Sequence, residues 1–178
     1  MSPSKSPSRN QSKYQVPKPK KKANTFAEIA REYGLSEGAI KAGPSGLRYR
    51  IPIERGILWY WFSKYIRKRD AKLMCISCGD KPGEQAGHFI PTHLGSWDDM
   101  VFNEENVHGE CPNCNDRDKR KLKYRIHLEI RLPGAADNLE FLYQAGKQAP
   151  PRNWGKEMLR SKIAHYRSLV EKEQGHSS

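Results

Sequence analysis

Long apolar runs are absent from this sequence of 178 residues, of which 36% are hydrophobic, and its mean hydropathy is −0.89. A helix that spans a bilayer needs about 18–20 consecutive apolar residues, so the composition excludes a membrane protein. The first five residues, MSPSK, also lack the apolar segment of a signal peptide, and we therefore expect a cytoplasmic protein. Cysteine is scarce as well. In a chain without an export signal, four cysteines in two close pairs favour a metal site over disulfides.

Acidic residues are few: 20 Asp and Glu stand against 32 Lys and Arg, which gives a formal net charge of +12. No acid occurs in residues 1–22, which carry seven positive charges and almost no apolar side chain. We therefore expect residues 1–23 to form a disordered basic tail. The charge surplus predicts a polyanionic partner, with Lys20, Lys21 and Lys22 as phosphate contacts, although a purely solubilising tail is the alternative.

Helical patterns dominate the chain on both sides of the cysteines. In residues 24–47, a capping box from Thr25 to Glu28 and an apolar stripe predict a hairpin that resembles a helix-turn-helix. Its second helix meets Gly43-Pro44 early, which favours packing or backbone contact over sequence reading. Residues 48–70 hold an amphipathic helix from 57 to 70. Its aromatic face suits a core, and its basic face, with Arg67 and Arg69, suits a phosphate track or a solvated surface.

The C-terminal region, residues 123–174, is also expected to be mainly helical. Residues 123–132 fit a strand and a helix equally well, because their apolar side chains alternate and also recur every four positions. Residues 135–144 and 154–173 have helical patterns, and the break between them contains Pro150-Pro151.

The cysteines form two Cys-x-x-Cys pairs, Cys75/Cys78 and Cys111/Cys114. Each pair places two thiolates on one side of a tight turn, and two such turns complete a tetrahedron around Zn²⁺. A redox dithiol would use one pair and leave the other unexplained. Four sulfur ligands leave no position for water, so the predicted zinc is structural and any chemistry lies elsewhere.

Three polar landmarks accompany the cysteines. His88 lies in an Ala-Gly-His segment between the pairs, Asn106 stands five residues before Cys111, and Asn115 directly follows Cys114. This pattern resembles the HNH nucleases of the His-Me finger class. Cys-Ile-Ser-Cys-Gly, Ala-Gly-His, Phe-Asn-Glu-x-Asn-x-His and Cys-x-x-Cys-Asn together resemble the phage NinG (Rap) recombination nucleases over residues 55–172. The order of the landmarks is also similar to that in phage resolvases of the endonuclease VII type.

The resemblance implies an α+β fold, in which a zinc-stabilised ββα-metal core at residues 71–122 is flanked by helices. It also implies a metal-dependent DNA endonuclease of phage recombination that acts in the host cell cytoplasm on branched DNA, such as Holliday junctions or D-loops. A symmetric junction suits a two-fold enzyme, so a homodimer is expected. The aromatic helix around residues 59–65 and the C-terminal helix are its candidate contacts.

The landmarks can be given chemical roles in phosphodiester hydrolysis. Neutral His88 would act as general base, and Asn115 would offer a carbonyl oxygen to one catalytic Mg²⁺ or Mn²⁺. Asn106 would hold the loop between the strands and orient His88 through a backbone carbonyl. Alternatively, His88 itself ligates the ion and another group activates water.

One position departs from the family pattern. Many HNH enzymes have Asp or His before the base as a second metal ligand, whereas this chain has Gly87. The candidate replacements are His108, Asp116, Asp118 and Glu129, and His108 is attractive because a strand would place it on the same face as Asn106. Basic residues after the metal helix are candidate phosphate contacts or a solvated run, namely Arg117, Lys119, Arg120 and Lys121.

Three other functions fit parts of the sequence. One is a sequence-biased nicking enzyme of the homing type, with the hairpin as its DNA reader. Another is a zinc-containing DNA-binding protein without catalysis, in which Gly87 marks a decayed site. An RNA-binding zinc ribbon fits the charge but leaves His88, Asn106 and Asn115 unexplained.

Overall fold

The computed structural model describes residues 26–36, 39, 53–91, 97–117, 121–148 and 153–172. The predicted basic tail, with Lys20, Lys21 and Lys22, and most of the hairpin's second helix lie outside these residues. The described part contains seven helices and two strands. They are α1 (Phe26–Glu32), α2 (Ile53–Arg69), β1 (Gln85–His88), α3 (Asp98–Val101), β2 (Val107–Glu110), α4 (Pro112–Arg117), α5 (Lys121–Arg131), α6 (Ala135–Lys147) and α7 (Lys156–Lys172). This combination confirms the α+β class.

The main core is formed by the two long helices, α2 and α7, which pack along each other. Phe62 of α2 lies edge-on to Phe102 and to Tyr166 of α7, with ring centroids 5.8 and 5.0 Å apart. Such aromatic pairs add about 1 kcal/mol each to the free energy of area burial. The aromatic helix is therefore core, as predicted. These faces of α2 and α7 cover each other within one chain, and the prediction of dimer contacts through the two helices stays a prediction.

The first helix joins this core. Ala30 and Leu35 are buried in it, and the Trp61 indole Nε1 of α2 donates a hydrogen bond of 3.0 Å to the Tyr33 carbonyl. Gly34, with a φ of +76°, ends the helix in the left-handed region, as the sequence predicts. Ser36 Oγ then accepts a hydrogen bond from Ala39 N at 3.3 Å. The start of the hairpin is thus a packed element, and its reading of DNA stays a prediction.

The two strands form an antiparallel sheet in which Gln85 pairs with Glu110 and Gly87 pairs with His108. The short helix α3 lies between the two strands in the chain, and strand β2 runs through Cys111 directly into α4. Helix α2 contacts both strands. The sheet is therefore supported by one of the two long helices of the main core.

A second core settles the ambiguous segment at residues 123–132, which forms helix α5. Tyr124 and Leu128, four positions apart, are buried there with Ile76, Phe89 and Leu139 of α6. The intervening Ile126 and Ile130 are exposed, so the alternating pattern does not reflect a strand. Among the described helices, none is both long and apolar enough to cross a membrane.

Candidate functional site

The four cysteines converge, as predicted. The thiol sulfurs of Cys75, Cys78, Cys111 and Cys114 all lie within 4.8 Å of one another, and the four residues are buried. Each pair forms a tight turn: Gly79 N donates to Cys75 O at 2.9 Å, and Cys114 N donates to Cys111 O at 3.0 Å. This cluster can hold a metal ion such as zinc.

The cluster ties the sheet to α4. Ile76 N, within the first pair, donates to Gly109 O of β2 at 3.0 Å, and Asn115 N donates to Cys111 O at 3.1 Å. A metal in the cluster would therefore fix the end of β2 and the first turn of α4 together. Asn115 is positioned by this turn, as the sequence predicts.

His88 ends β1 and is held on two sides. Its ring stacks on Trp59 of α2, with centroids 5.1 Å apart and planes 16° apart, and its Nε2 lies 3.0 Å from the Val101 carbonyl oxygen. Because a carbonyl only accepts, this contact requires a proton on Nε2. The stacking and this contact together fix the orientation of the imidazole ring.

Asn106 is fully buried and clamps the loop between the strands. Its Oδ1 accepts from Ile90 N at 2.7 Å, while its Nδ2 donates to Met100 O at 2.9 Å and to Ile90 O at 3.2 Å. Met100 directly precedes Val101, whose carbonyl contacts His88. Asn106 therefore lies where a residue that orients His88 through a backbone carbonyl would have to lie.

Gly87 faces a carboxylate that the sequence analysis missed. A Cβ built on Gly87 would lie 1.8 Å from Glu110 Oε2 and 2.9 Å from Asn115 Oδ1, so Glu110 occupies the space of the absent side chain. Glu110 is 5% exposed, and its Oε1 accepts a hydrogen bond from Ser77 Oγ within the first cysteine pair. Asn115 Nδ2 donates to Gln85 Oε1 at 2.8 Å, which turns its Oδ1 toward the same space.

The other candidates for the missing acid lie elsewhere or have other partners. His108 is 4% exposed, and its Nδ1 lies 3.2 Å from the Tyr124 hydroxyl, which donates to Gly87 O at 3.1 Å. Burial, aided by the charge of Arg69, lowers the pKa of His108 to about 4 and keeps it neutral. Its buried ring supports β1 through Tyr124, which is a correction to the predicted role in binding metal or phosphate.

Glu129 also has a structural role. Its carboxylate accepts hydrogen bonds from Gly134 N and Ala136 N at 2.7 and 2.8 Å, which lowers its pKa and holds the start of α6. Asp116 is exposed on α4 beside Asn115, and Asp118 lies outside the described residues. Among the described carboxylate candidates from the sequence, Asp116 is the one that lies beside Asn115.

The predicted phosphate contacts divide into three groups. Arg69 is wrong as a DNA contact: it pairs with Asp70 at 2.8 Å and donates to the carbonyls of Glu104 and Val107, so its guanidinium braces the loop before β2. Arg67 is exposed on α2 and remains a candidate. Lys119 and Arg120, with the side chains of Arg117 and Lys121, lie outside the described residues.

Comparison with known proteins assigns the family. The family model described as "Bacteriophage Lambda NinG protein" matches residues 58–174, more than half of the chain. The chain belongs to the NinG family. The match begins within α2 and contains the cysteine cluster, His88, Asn106 and Asn115, whereas α1 precedes it. The family that the motifs predicted is thereby confirmed.

Individual NinG relatives match a shorter stretch. The chain is 36% identical over 92 residues to Protein ninG of Escherichia phage lambda, which covers 46% of this chain and 44% of that protein. Protein ninG of Salmonella phage P22 is 36% identical to the chain, and the match covers 44% of that protein. Protein ninG of Escherichia phage 933W is 35% identical, and the match covers 45% of it. The match thus spans less than half the length of these curated relatives. No solved structure matches the chain.

Proposed function

We propose that this NinG-family chain is a metal-dependent DNA endonuclease of the HNH type, with β1, β2 and α4 as its ββα-metal core. The observation that carries the proposal is the orientation of His88. Its Nε2 faces a carbonyl of the loop that buried Asn106 clamps, which fixes the ring at the end of β1, and we assign Nδ1 as the base. This unit also contains Asn115, in the first turn of α4, and the four cysteines brace it.

In the proposed reaction, His88 Nδ1 removes a proton from the water that attacks the phosphodiester. A positioned general base contributes about 10²–10⁴-fold to the rate. Stacking on Trp59 limits rotation of the ring, and the Val101 carbonyl stabilises the imidazolium that forms after proton transfer. A structural zinc would keep the β2–α4 junction rigid without taking part in the reaction.

The divalent ion implied by the HNH type fits the residues at Gly87. Asn115 Oδ1 and the Glu110 carboxylate both lie beside the position of a Gly87 side chain, and such hard oxygen donors are the type that Mg²⁺ or Mn²⁺ prefers. Such an ion, when bound, stabilises charge on the scissile phosphate and on the leaving oxygen. Asn115 would hold it from α4.

Branched DNA in the host cell cytoplasm is the proposed substrate, by resemblance to phage recombination nucleases. The net charge of +12 supports binding to a polyanion, and Arg67 of α2 offers an exposed cation in the described part of the chain. Lys20, Lys21, Lys22, Arg117, Lys119, Arg120 and Lys121 stay predicted phosphate contacts.

We also propose that the chain acts as a homodimer, through a surface different from the one predicted. Leu122, Ile126 and Ile130 on α5 are 73%, 50% and 73% exposed. They recur every four residues and so form an apolar stripe along one face of the helix, as in helices that pack against a partner. Sedimentation of the full chain should show a dimer that the triple change of this stripe to Ser converts to a monomer. A parent that sediments as a monomer at micromolar concentration would contradict the dimer.

The test of function compares a labelled four-way junction with the matching linear duplex, each with Mg²⁺, Mn²⁺ or EDTA. The proposal predicts divalent-dependent products from the junction and much slower cleavage of the duplex. Salt-sensitive binding without products at any ion would instead establish a non-catalytic zinc-containing DNA-binding protein. Cuts at one preferred sequence in random duplex would establish a nicking enzyme of the homing type.

A further inference from the structure

We propose that Glu110 provides the carboxylate that Gly87 lacks, and that it binds the catalytic divalent ion together with Asn115. This inference rests on the proposed nuclease function and names the ligand that the sequence leaves open. It places the acid on β2 instead of on β1, one position before a cysteine of the metal cluster.

The register of the sheet makes this exchange possible. Residues 87 and 108 are cross-strand partners, so their side chains project to the same face, and residue 110 projects to that face as well. From there the carboxylate of Glu110 reaches across the sheet to the position of a Gly87 side chain. The backbone of Gly87 is not in the left-handed region, so this crowding is a local reason for glycine at this position.

Both proposed ligands lie beside the position of a Gly87 side chain. Measured from the Cβ position of a side chain at residue 87, Glu110 Oε2 lies at 1.8 Å and Asn115 Oδ1 at 2.9 Å. Mg²⁺ in proteins is commonly held by one or two carboxylate groups, with waters and substrate phosphates completing its coordination. Asn115 is exposed, which leaves the approach from solvent open to a phosphate.

The cysteine cluster orients both ligands. Ser77, inside the first pair, donates to Glu110 Oε1, and Glu110 itself directly precedes Cys111. Asn115 follows Cys114 and is fixed by its hydrogen bond to Cys111 O. Groups that hold a ligand in this way typically change metal affinity by about 10–100-fold when they are removed.

The test measures metal binding and needs no cleavage. The zinc-loaded full chain is titrated with Mn²⁺, and free Mn²⁺ is followed by electron paramagnetic resonance. Glu110→Gln should raise the dissociation constant at least about tenfold. Asp116→Asn is the matched control, because this exposed acid beside Asn115 is the remaining described candidate, and it should leave the constant within about twofold of the parent.

A second variant guards against a loss caused by misfolding. In Glu110→Ala combined with Gly87→Asp, the space vacated by the glutamate receives a carboxylate from β1, and Mn²⁺ binding should return to near the parent value. Zinc content and the circular dichroism spectrum are measured for every variant. Restoration in the double variant supports ligation. A double variant that keeps its zinc and its fold but does not regain Mn²⁺ binding overturns it.

Parental Mn²⁺ affinity in Glu110→Gln, or a loss in Asp116→Asn alone, would also overturn the inference. The result is separable from the proposed function. If the parent cleaves DNA while Glu110→Gln binds Mn²⁺ normally, the nuclease stands and Glu110 is not its ligand. If Mn²⁺ binding depends on Glu110 but no DNA is cut, the metal site stands and the nuclease fails.

Discussion

Replacing Asn106 by Ala is the substitution that best probes how the loop between the strands is held. The fully buried carboxamide makes three hydrogen bonds to Ile90 N, Ile90 O and Met100 O, at 2.7–3.2 Å. A hydrogen bond contributes a net stabilisation of about 1 kcal/mol, and a buried group left without its partner costs at least as much. Asn106→Ala should therefore lower the free energy of unfolding by about 3 kcal/mol.

The assay is urea unfolding followed by tryptophan fluorescence, at a fixed free zinc concentration because bound metal contributes to apparent stability. Asn103→Ala is the control. Asn103 Oδ1 accepts one exposed hydrogen bond, from Glu105 N at 2.8 Å, and its loss should cost less than about 1 kcal/mol. Equal destabilisation by the two substitutions would refute the claim that Asn106 is the clamp of this loop.

Three further predictions concern the base, the cysteines and acid stability. Trp59→Leu, which removes the ring stacked on His88, should lower kcat several-fold and shift the acidic limb of its pH profile, with little change in KM. Cys114→Ser should reduce the zinc content from one per chain, measured with a chromogenic chelator, and lower the Tm. Because burial lowers the pKa of His108 from 6.5 to about 4, the unfolded chain takes up the proton at a higher pH than the folded chain does. Stability should fall by up to about 3 kcal/mol between pH 6.5 and 4, and His108→Gln should lose that component, measured by denaturant unfolding at each pH.

The environment of His108 gives this pH dependence its sign. Arg69 and Arg131 disfavour the imidazolium, Asp70 favours it, and the Tyr124 hydroxyl lies against Nδ1. Burial outweighs the attraction of Asp70. A parent and a His108→Gln variant with the same dependence of stability on pH would show that the buried imidazole is protonated without penalty.

The features that depend on short spacings were predictable from the sequence. Each Cys-x-x-Cys spacing brings two thiols onto one tight turn, and four such thiols are typical of a metal site. Asn115 directly follows the second turn, so its place in the first turn of α4 also follows from local spacing. The aromatic face of α2 was predictable for the same reason, because helical periodicity is local. These features define the cysteine cluster, the buried face of α2 and the position of Asn115, whereas the α+β class was implied by the resemblance.

Features that depend on strand register or on distant partners were not predictable. Glu110 reaches the place of a Gly87 side chain only because of the pairing of β1 with β2, which no spacing within one strand reveals. Arg69 belongs to a basic run, yet its guanidinium is used by Asp70 and by two carbonyls about 35 residues away. The segment that became α5 contains both a two-residue and a four-residue apolar pattern, and only its packing on Ile76 and Leu139 selects the helix.

The central claim is that His88 is the base of a DNA nuclease, and single-turnover cleavage of a four-way junction by His88→Ala tests it most directly. His165→Ala is the matched control, because this exposed histidine lies on α7 and contacts the edge of Tyr166. In Mg²⁺, with zinc content equal to that of the parent, His88→Ala should cleave at least about 100-fold more slowly, and His165→Ala within about twofold of the parent rate. Cleavage by His88→Ala at the parent rate, or no cleavage by the parent in Mg²⁺ or Mn²⁺, would contradict the account.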